Sequence, residues 1–181
     1  MLAGRDPASG VTDRAAAEME SVAALAGDAQ AELRAVIDGL APPDISEGGL
    51  AGSLRRYALL AGKAHGVRVR FAADDLPPLG ADREAALYRI AQEALHNALR
   101  HSGAAEVTVS VGAAARKVTL EVSDQGKGFV PELATGGRGL ASQRERAAGA
   151  GATLTIRSAP GQGTTVRLVM PVDRSGKGRP R

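Results

Sequence analysis

Two alternating runs, "EVTVSVG" at residues 106–112 and "KVTLEVSD" at 117–124, stand only four residues apart, joined by "AAAR". Alternation sends successive side chains to opposite faces of a strand, and so short a join predicts an antiparallel hairpin with one apolar face. A second pair, "TLTIRS" (153–158) and "TTVRLVMP" (164–171), is separated by "APGQG". A fifth run, "VRVRFAA" (67–73), places Val67, Val69 and Phe71 on one side. Helical patterns fill the intervals at 50–64, 82–101 and 140–148, with Asp82 expected to cap the second and Glu84 to sit in its first turn. Helices alternating with strand pairs predict an α+β, two-layer α/β sandwich rather than a doubly wound parallel sheet.

The remaining segments look different. Residues 12–41 are helical in composition, and Met19, Val22, Ala26, Ala29, Leu33, Val36 and Leu40 recur at three- and four-residue steps, a heptad seam in which two positions are only alanine. One amphipathic helix lying on its own domain and one helix of a two-chain bundle both fit that seam. "APPDISEGG" then predicts a linker over 42–48, leaving residues 49–172 as the main domain, with disorder expected at 1–11 and in the basic tail 173–181. The chain of 181 residues carries a net charge of +3, part of it in that tail. With 2% aromatic residues and no Trp to stack on bases, nucleic acid is not an expected partner. The absence of Cys excludes disulfides and thiolate metal sites and fits a reducing, cytoplasmic setting. No run approaches the length of a membrane span, although a parent protein anchored in a membrane is compatible with that.

The helix "RIAQEALHNALRHSG" (89–103) carries the first candidate chemistry. At 100° per residue Glu93, Asn97, Arg100 and His101 fall within an arc of roughly 100°, a polar stripe facing a cleft. Asn97 is a neutral oxygen ligand, suited to Mg²⁺ when phosphates already supply negative charge. Glu93 could orient a water or accept a proton, and Arg100 and His101 could neutralise phosphate oxygens. Taken alone, the stripe reads more readily as the solvated polar edge of a surface helix with a satisfied histidine.

Three glycine boxes follow in order. "SDQGKGF" leaves a strand, so Asp124 stands at a strand end, where its carboxylate can accept from an exocyclic amine such as adenine's; Gly126 and Gly128 are able to take φ > 0 in the turn behind it. "GGRGL" immediately precedes a helix, where backbone N–H groups can hold phosphates. "PGQGTTV" is a tight turn presenting Thr164. The P-loop pattern is absent, and no G-x-G-x-x-G lies in a strand-to-helix turn.

"EALHNALRH", "DQGKGF", "GGRGL" and "GQGT" resemble the asparagine box and successive glycine boxes of the GHKL ATPase superfamily, which includes gyrase, histidine kinases and the MutL mismatch-repair ATPase. Within it, "LYRIAQEALHNALRHSGA" and the "RERA" after "GL" are similar to the nitrate-sensor class of two-component histidine kinases. The resemblance implies a Bergerat-type ATP-binding fold, a mixed sheet with helices on one face, preceded by an N-terminal helix. It implies ATP and Mg²⁺ as ligands. Asn97 would coordinate the metal; Arg100 and His101, matching the family's basic-plus-His ending of this helix, would lie near the phosphates. Asp124 would bind the adenine amine in a pocket shaped by Gly126 and Gly128. Gly137, Gly139 and Leu140 would approach the phosphates, Thr164 would support the adenine site, and Glu93 would be an orienting group.

By the same resemblance the γ-phosphoryl goes to a histidine on a dimerisation domain, and then to a response regulator, in a protein expected to be a dimer at full length. The heptad segment resembles the second helix of a dimerisation hairpin. An acceptor histidine on the first helix of that hairpin is not matched by His65, His96 or His101, so the chain reads as a piece of a longer kinase, unable to phosphorylate itself alone. His96 stands where the family more often has a small polar residue and is expected to pack beside the site. Only "VPELAT" separates Phe129 from Gly136, a short nucleotide lid. A nucleotide-dependent interaction switch and a serine kinase of the anti-sigma-factor type are the competing readings.

Overall fold

The period-two pattern of the strands decides how the sheet faces. In the computed structural model, which describes residues 48–131 and 138–172, five strands form one sheet. They are β1 (Arg68–Ala73), β2 (Glu106–Ala114), β3 (Lys117–Asp124), β4 (Thr153–Ser158) and β5 (Thr164–Pro171). Val107, Val109 and Val111 of β2, Val118, Leu120 and Val122 of β3, and Val166, Leu168 and Met170 of β5 are buried. The residues between them, such as Thr108, Thr119, Glu121, Ser123 and Arg167, are partly or fully exposed. One face is therefore core and the other meets water, the pattern of a two-layer fold.

Among the described residues three helices cover the buried face: α1 (Gly49–His65), α2 (Ala81–His101) and α3 (Arg138–Gly149). The central one, α2, packs on β2, β3 and β5 through a stripe that includes Leu87, Ile90, Ala94, Leu95 and Ala98, all buried. Side chains of this size contribute about 1.5–3 kcal/mol each when a Leu or Ile is fully buried, so this stripe and the strand valines anchor the layer. On either side, α1 packs on β1 and α3 on β4.

The strand order is β1-β2-β3-β5-β4. β2 pairs antiparallel with β3 and β3 with β5, whereas β1 runs parallel to β2, with Arg68 opposite Glu106. Parallel neighbours need a crossover, and α2 supplies it. The mixed sheet with helices on one face agrees with the expected architecture. The β2–β3 hairpin closes on Ala115 and Arg116, both left-handed, at φ 48° and 63°.

Two boundaries differ from those expected. Asp82 does not cap α2: the N-cap position is Gly80, whose carbonyl accepts from the N–H groups of Arg83 and Glu84, and Asp82 lies in the first turn with Glu84. The chain enters this helix through "DDLPPLG", and the glycine ending that segment takes φ 85°, a conformation that Asp82 would disfavour. The third helix begins at Arg138 rather than Leu140, so Gly139 is helical. The expected helix at 12–41, most of the linker, both termini, most of the lid segment and Gly137 lie outside the described residues.

Candidate functional site

Where β3 ends, the sheet and α2 part to form a cleft of about 600 Å³, within the range typical of small-molecule sites. Its lining comes from five elements. Glu93, Asn97 and His101 belong to α2, Val122 and Asp124 to β3, Leu140 and Gln143 to α3, Ile156 to β4, and Thr164 and Val166 to β5. The loop after β3 adds Lys127, Gly128 and Phe129.

Register explains why the floor is apolar with a polar rim. Val122 is opposite Val166, and Val166 opposite Ile156, so three branched side chains lie in a row across β3, β5 and β4. Two residues further along β3, on the same face, comes Asp124, paired with Thr164. A flat apolar ring fits such a floor, and Asp124 and Thr164 are then its polar edge.

Those two groups are set as acceptors. Asp124 is 4% exposed, and its Oδ1 accepts from the Gly126 N–H at 2.8 Å. Its Oδ2 has no hydrogen-bond partner among the described residues. The Ser158 hydroxyl donates its single proton to the Gly163 carbonyl at 2.9 Å and accepts from the Phe129 N–H at 2.9 Å. Ser158 has no second proton, so in its 2.9 Å contact with Thr164 the Thr164 hydroxyl donates. Thr164 is left with lone pairs. An edge made of a carboxylate oxygen and a spent hydroxyl selects a ligand group with N–H donors and rejects a carbonyl there.

Close backbone approaches hold this rim in place. Gly126 does not use its freedom to take a positive φ; its requirement is room, because a Cβ there would stand 2.2 Å from the carbonyl oxygen of Ser102. The Lys127 N–H donates to that same carbonyl at 2.8 Å, tying the loop to the end of α2. Gly128 does take φ 58°, and a Cβ on it would meet the Ala159 carbonyl oxygen at 2.0 Å.

Across the cleft, Asn97 Nδ2 donates to Glu93 Oε1 at 3.4 Å. This contact orients the amide and leaves Asn97 Oδ1 as the available atom, the end a hard cation needs. Among the described residues no three His, Asp or Glu side chains gather as a metal site, so a cation at Asn97 would draw most of its ligands from a bound anion and water.

Arg100 does not join the cleft. The lining positions 93, 94, 97, 98 and 101 occupy one arc, and Arg100 falls about 20° beyond its edge at Glu93, on the side of His96. His96 also lies outside the cleft, edge-on to His65 with ring centroids 6.2 Å apart. Burial, reinforced by Arg100, lowers its pKa below the usual 6.5. Cationic groups that do line the cleft are Lys127 and, when protonated, His101. Leu140 lines it, and Gly139 precedes Leu140 in the first turn of α3. Lys127, Phe129, Gln143, Ile156 and Ser158 were not singled out in the sequence. For Lys127 a signal existed: it stands between the two glycines of "QGKGF".

A family model described as "Histidine kinase-, DNA gyrase B-, and HSP90-like ATPase" matches residues 82–174, more than half of the chain. This chain belongs to that family. The chain is 32% identical over 167 residues to the sensor histidine kinase LiaS of Bacillus subtilis, covering 92% of this chain and 46% of LiaS. It is 36% identical over 156 residues to the sensor histidine kinase YhcY of the same organism, covering 85% of this chain and 40% of YhcY. The chain thus spans less than half the length of these relatives. Among solved structures, full-length ShkA in complex with AMPPNP is similar at TM-score 0.57 and 27% identity, over 72% of this chain and 30% of that one. The histidine kinase domain of the Erythrobacter litoralis EL346 blue-light activated kinase shares the fold at TM-score 0.58 and 23% identity, over 68% of this chain and 61% of that one. The ATPase domain is therefore of the sensor-histidine-kinase type. No helix among its described residues is long and apolar enough to cross a membrane.

Proposed function

We propose that this domain binds ATP with Mg²⁺ and presents the γ-phosphoryl to a histidine on a separate dimerisation domain, within a dimeric sensor kinase that passes the phosphoryl to a response regulator. The observation that carries the reading is the pair of acceptors, Asp124 Oδ2 and Thr164 Oγ1, at the edge of an apolar floor. Adenine has an exocyclic amine with two N–H donors at that edge; guanine has a carbonyl there. The AMPPNP complex of the similar ShkA supports an adenine nucleotide.

In this reading the triphosphate extends from the base toward Asn97, His101 and Lys127. Asn97 Oδ1 would hold the magnesium ion, and Glu93 would keep that amide turned outward. The ion, when bound, neutralises phosphate charge. Lys127 adds positive charge at the rim, His101 would donate to the phosphate oxygens, and the backbone near Gly137, Gly139 and Leu140 would approach the phosphates. With no nucleophile of its own in play, the domain contributes positioning and charge neutralisation. The histidine nitrogen forms the N–P bond as the bond from Pγ to the bridging oxygen breaks, and ADP leaves with that oxygen.

Within the sensor kinases we assign the chain to the nitrate-sensor class, on the strength of "LYRIAQEALHNALRHSGA" and "RERA". A cytoplasmic position, in a parent protein that can itself be membrane-anchored, accords with the absence of Cys.

The test mixes the chain with a hairpin fragment bearing the acceptor histidine and with γ-labelled ATP. Acid-labile label on the hairpin is the expected result. Acid-stable label on a serine would identify an anti-sigma-factor-type kinase instead. Nucleotide binding with no label transferred would identify an interaction switch.

A further inference from the structure

The apolar face of α3 contains one residue that does not belong on it. Leu140, Gln143 and Ala147 follow at three- and four-residue steps and lie on one side of the helix. Ala147 is buried, Leu140 partly so, and Gln143 is 1% exposed. Both polar atoms of the Gln143 carboxamide, Oε1 and Nε2, lack a hydrogen-bond partner among the described residues. A buried amide with neither end satisfied is unfavourable, and Leu or Met of similar volume would fill the position without that cost. Gln143 nevertheless lines the cleft, beside the apolar floor of Val122, Val166 and Ile156 that also bears Asp124 and Thr164. It stands on the helix that packs against β4, not on α2 with Asn97.

We infer that Gln143 is a specificity-determining residue for the nucleotide: its Nε2 donates to a ring nitrogen of the base. The inference rests on the adenine reading above and extends it. Asp124 and Thr164 supply only acceptors, so they recognise the exocyclic amine and nothing else on the base. Adenine's ring nitrogens are acceptors and need a donor from the protein. Among the described residues that line the cleft near the floor, Gln143 is the side chain whose amide N–H donors are unengaged. Binding the base satisfies an amide that is unsatisfied in the free domain. The same residue therefore destabilises the empty protein and strengthens the filled one.

Calorimetric titration of the full chain with Mg-ADP and its 1-, 3- and 7-deaza analogues tests this, on wild type, Gln143→Leu and Gln143→Met. Wild type is expected to bind one of the three analogues about 10-fold more weakly than ADP, as loss of one hydrogen bond to a buried partner implies. Both variants should bind ADP about 10-fold more weakly than wild type does and should no longer distinguish it from that analogue. Their ligand-free melting temperatures should rise by about 5 °C. Variants that retain wild-type affinity for ADP, or wild-type discrimination among the analogues, overturn the inference while leaving the nucleotide reading intact. A wild type that binds no adenine nucleotide overturns both.

Discussion

At the scale of single residues, the cleft is specified by which atoms are already committed elsewhere. Asp124 spends one oxygen on Gly126 and has one left; Thr164 spends its proton on Ser158. Replacing Asp124 with Asn exchanges an acceptor for an amide that can also donate. We expect Asp124→Asn to weaken Mg-ATP binding by roughly 10- to 100-fold, the range for a hydrogen bond to a charged group, while GTP binding changes little. Competition titrations measure the ratio directly, and an unchanged preference for ATP over GTP would remove Asp124 from base recognition. Gly126→Ala tests the other side of the rim. A methyl 2.2 Å from the Ser102 carbonyl oxygen must push backbone, not a flexible side-chain end, so a loss of about 2 kcal/mol in urea unfolding is expected. Asp124, Asn97 and Thr164 were legible in the sequence as residues of one cleft because each sits in a distinctive local string. The reason for Gly126 was not, since its neighbour Ser102 lies far back along the chain and only the fold brings the two together.

At the scale of elements, each described strand and helix followed from its own period, but their junctions did not. The β2–β3 turn illustrates this. Its two central residues are left-handed, as a type I′ turn demands, yet they are Ala115 and Arg116 rather than the Asn-Gly pair that adopts this geometry readily. Nothing in "AAAR" marks it as such a turn, and the strand runs fix it instead by pairing Ala114 with Lys117. The combined change Ala115→Asn and Arg116→Gly should therefore stabilise the domain by about 1 kcal/mol, since left-handed non-glycine residues store strain of that order. Thermal melting should show a rise of about 4 °C with nucleotide affinity unaltered, because the turn lies at the opposite end of β3 from Asp124. A fall in melting temperature would mean that the Arg116 side chain contributes more than its backbone costs. That Arg100 falls outside the cleft's lining has a similar origin: a stripe judged by angle alone has no edge until the cleft's own arc is known.

For the whole molecule, the order β1-β2-β3-β5-β4 is what gathers the site, and it could not be obtained from any one segment. By setting β5 between β3 and β4, it brings Asp124 beside Thr164 and lays Ile156 next to Val166. The crossover through α2 then suspends Asn97 above the same floor. A ligand in this cleft touches α2, α3, β3, β4 and β5 together, so its binding free energy adds to the stability of the fold and not to one loop. At a free nucleotide concentration 100 times its dissociation constant the added stability is about 2.7 kcal/mol. For a domain of this size that corresponds to a rise in melting temperature of roughly 10 °C. If the Asn97 amide is the protein's share of the magnesium site, chelating the metal should remove most of the rise in wild type. In Asn97→Ala the smaller rise should be the same with and without metal. Differential scanning calorimetry across the four combinations decides the point. A variant that still gains stability from magnesium would place the ion elsewhere, and the cleft would then bind its nucleotide through the base edge, with Asn97 serving only as a neighbour to Glu93.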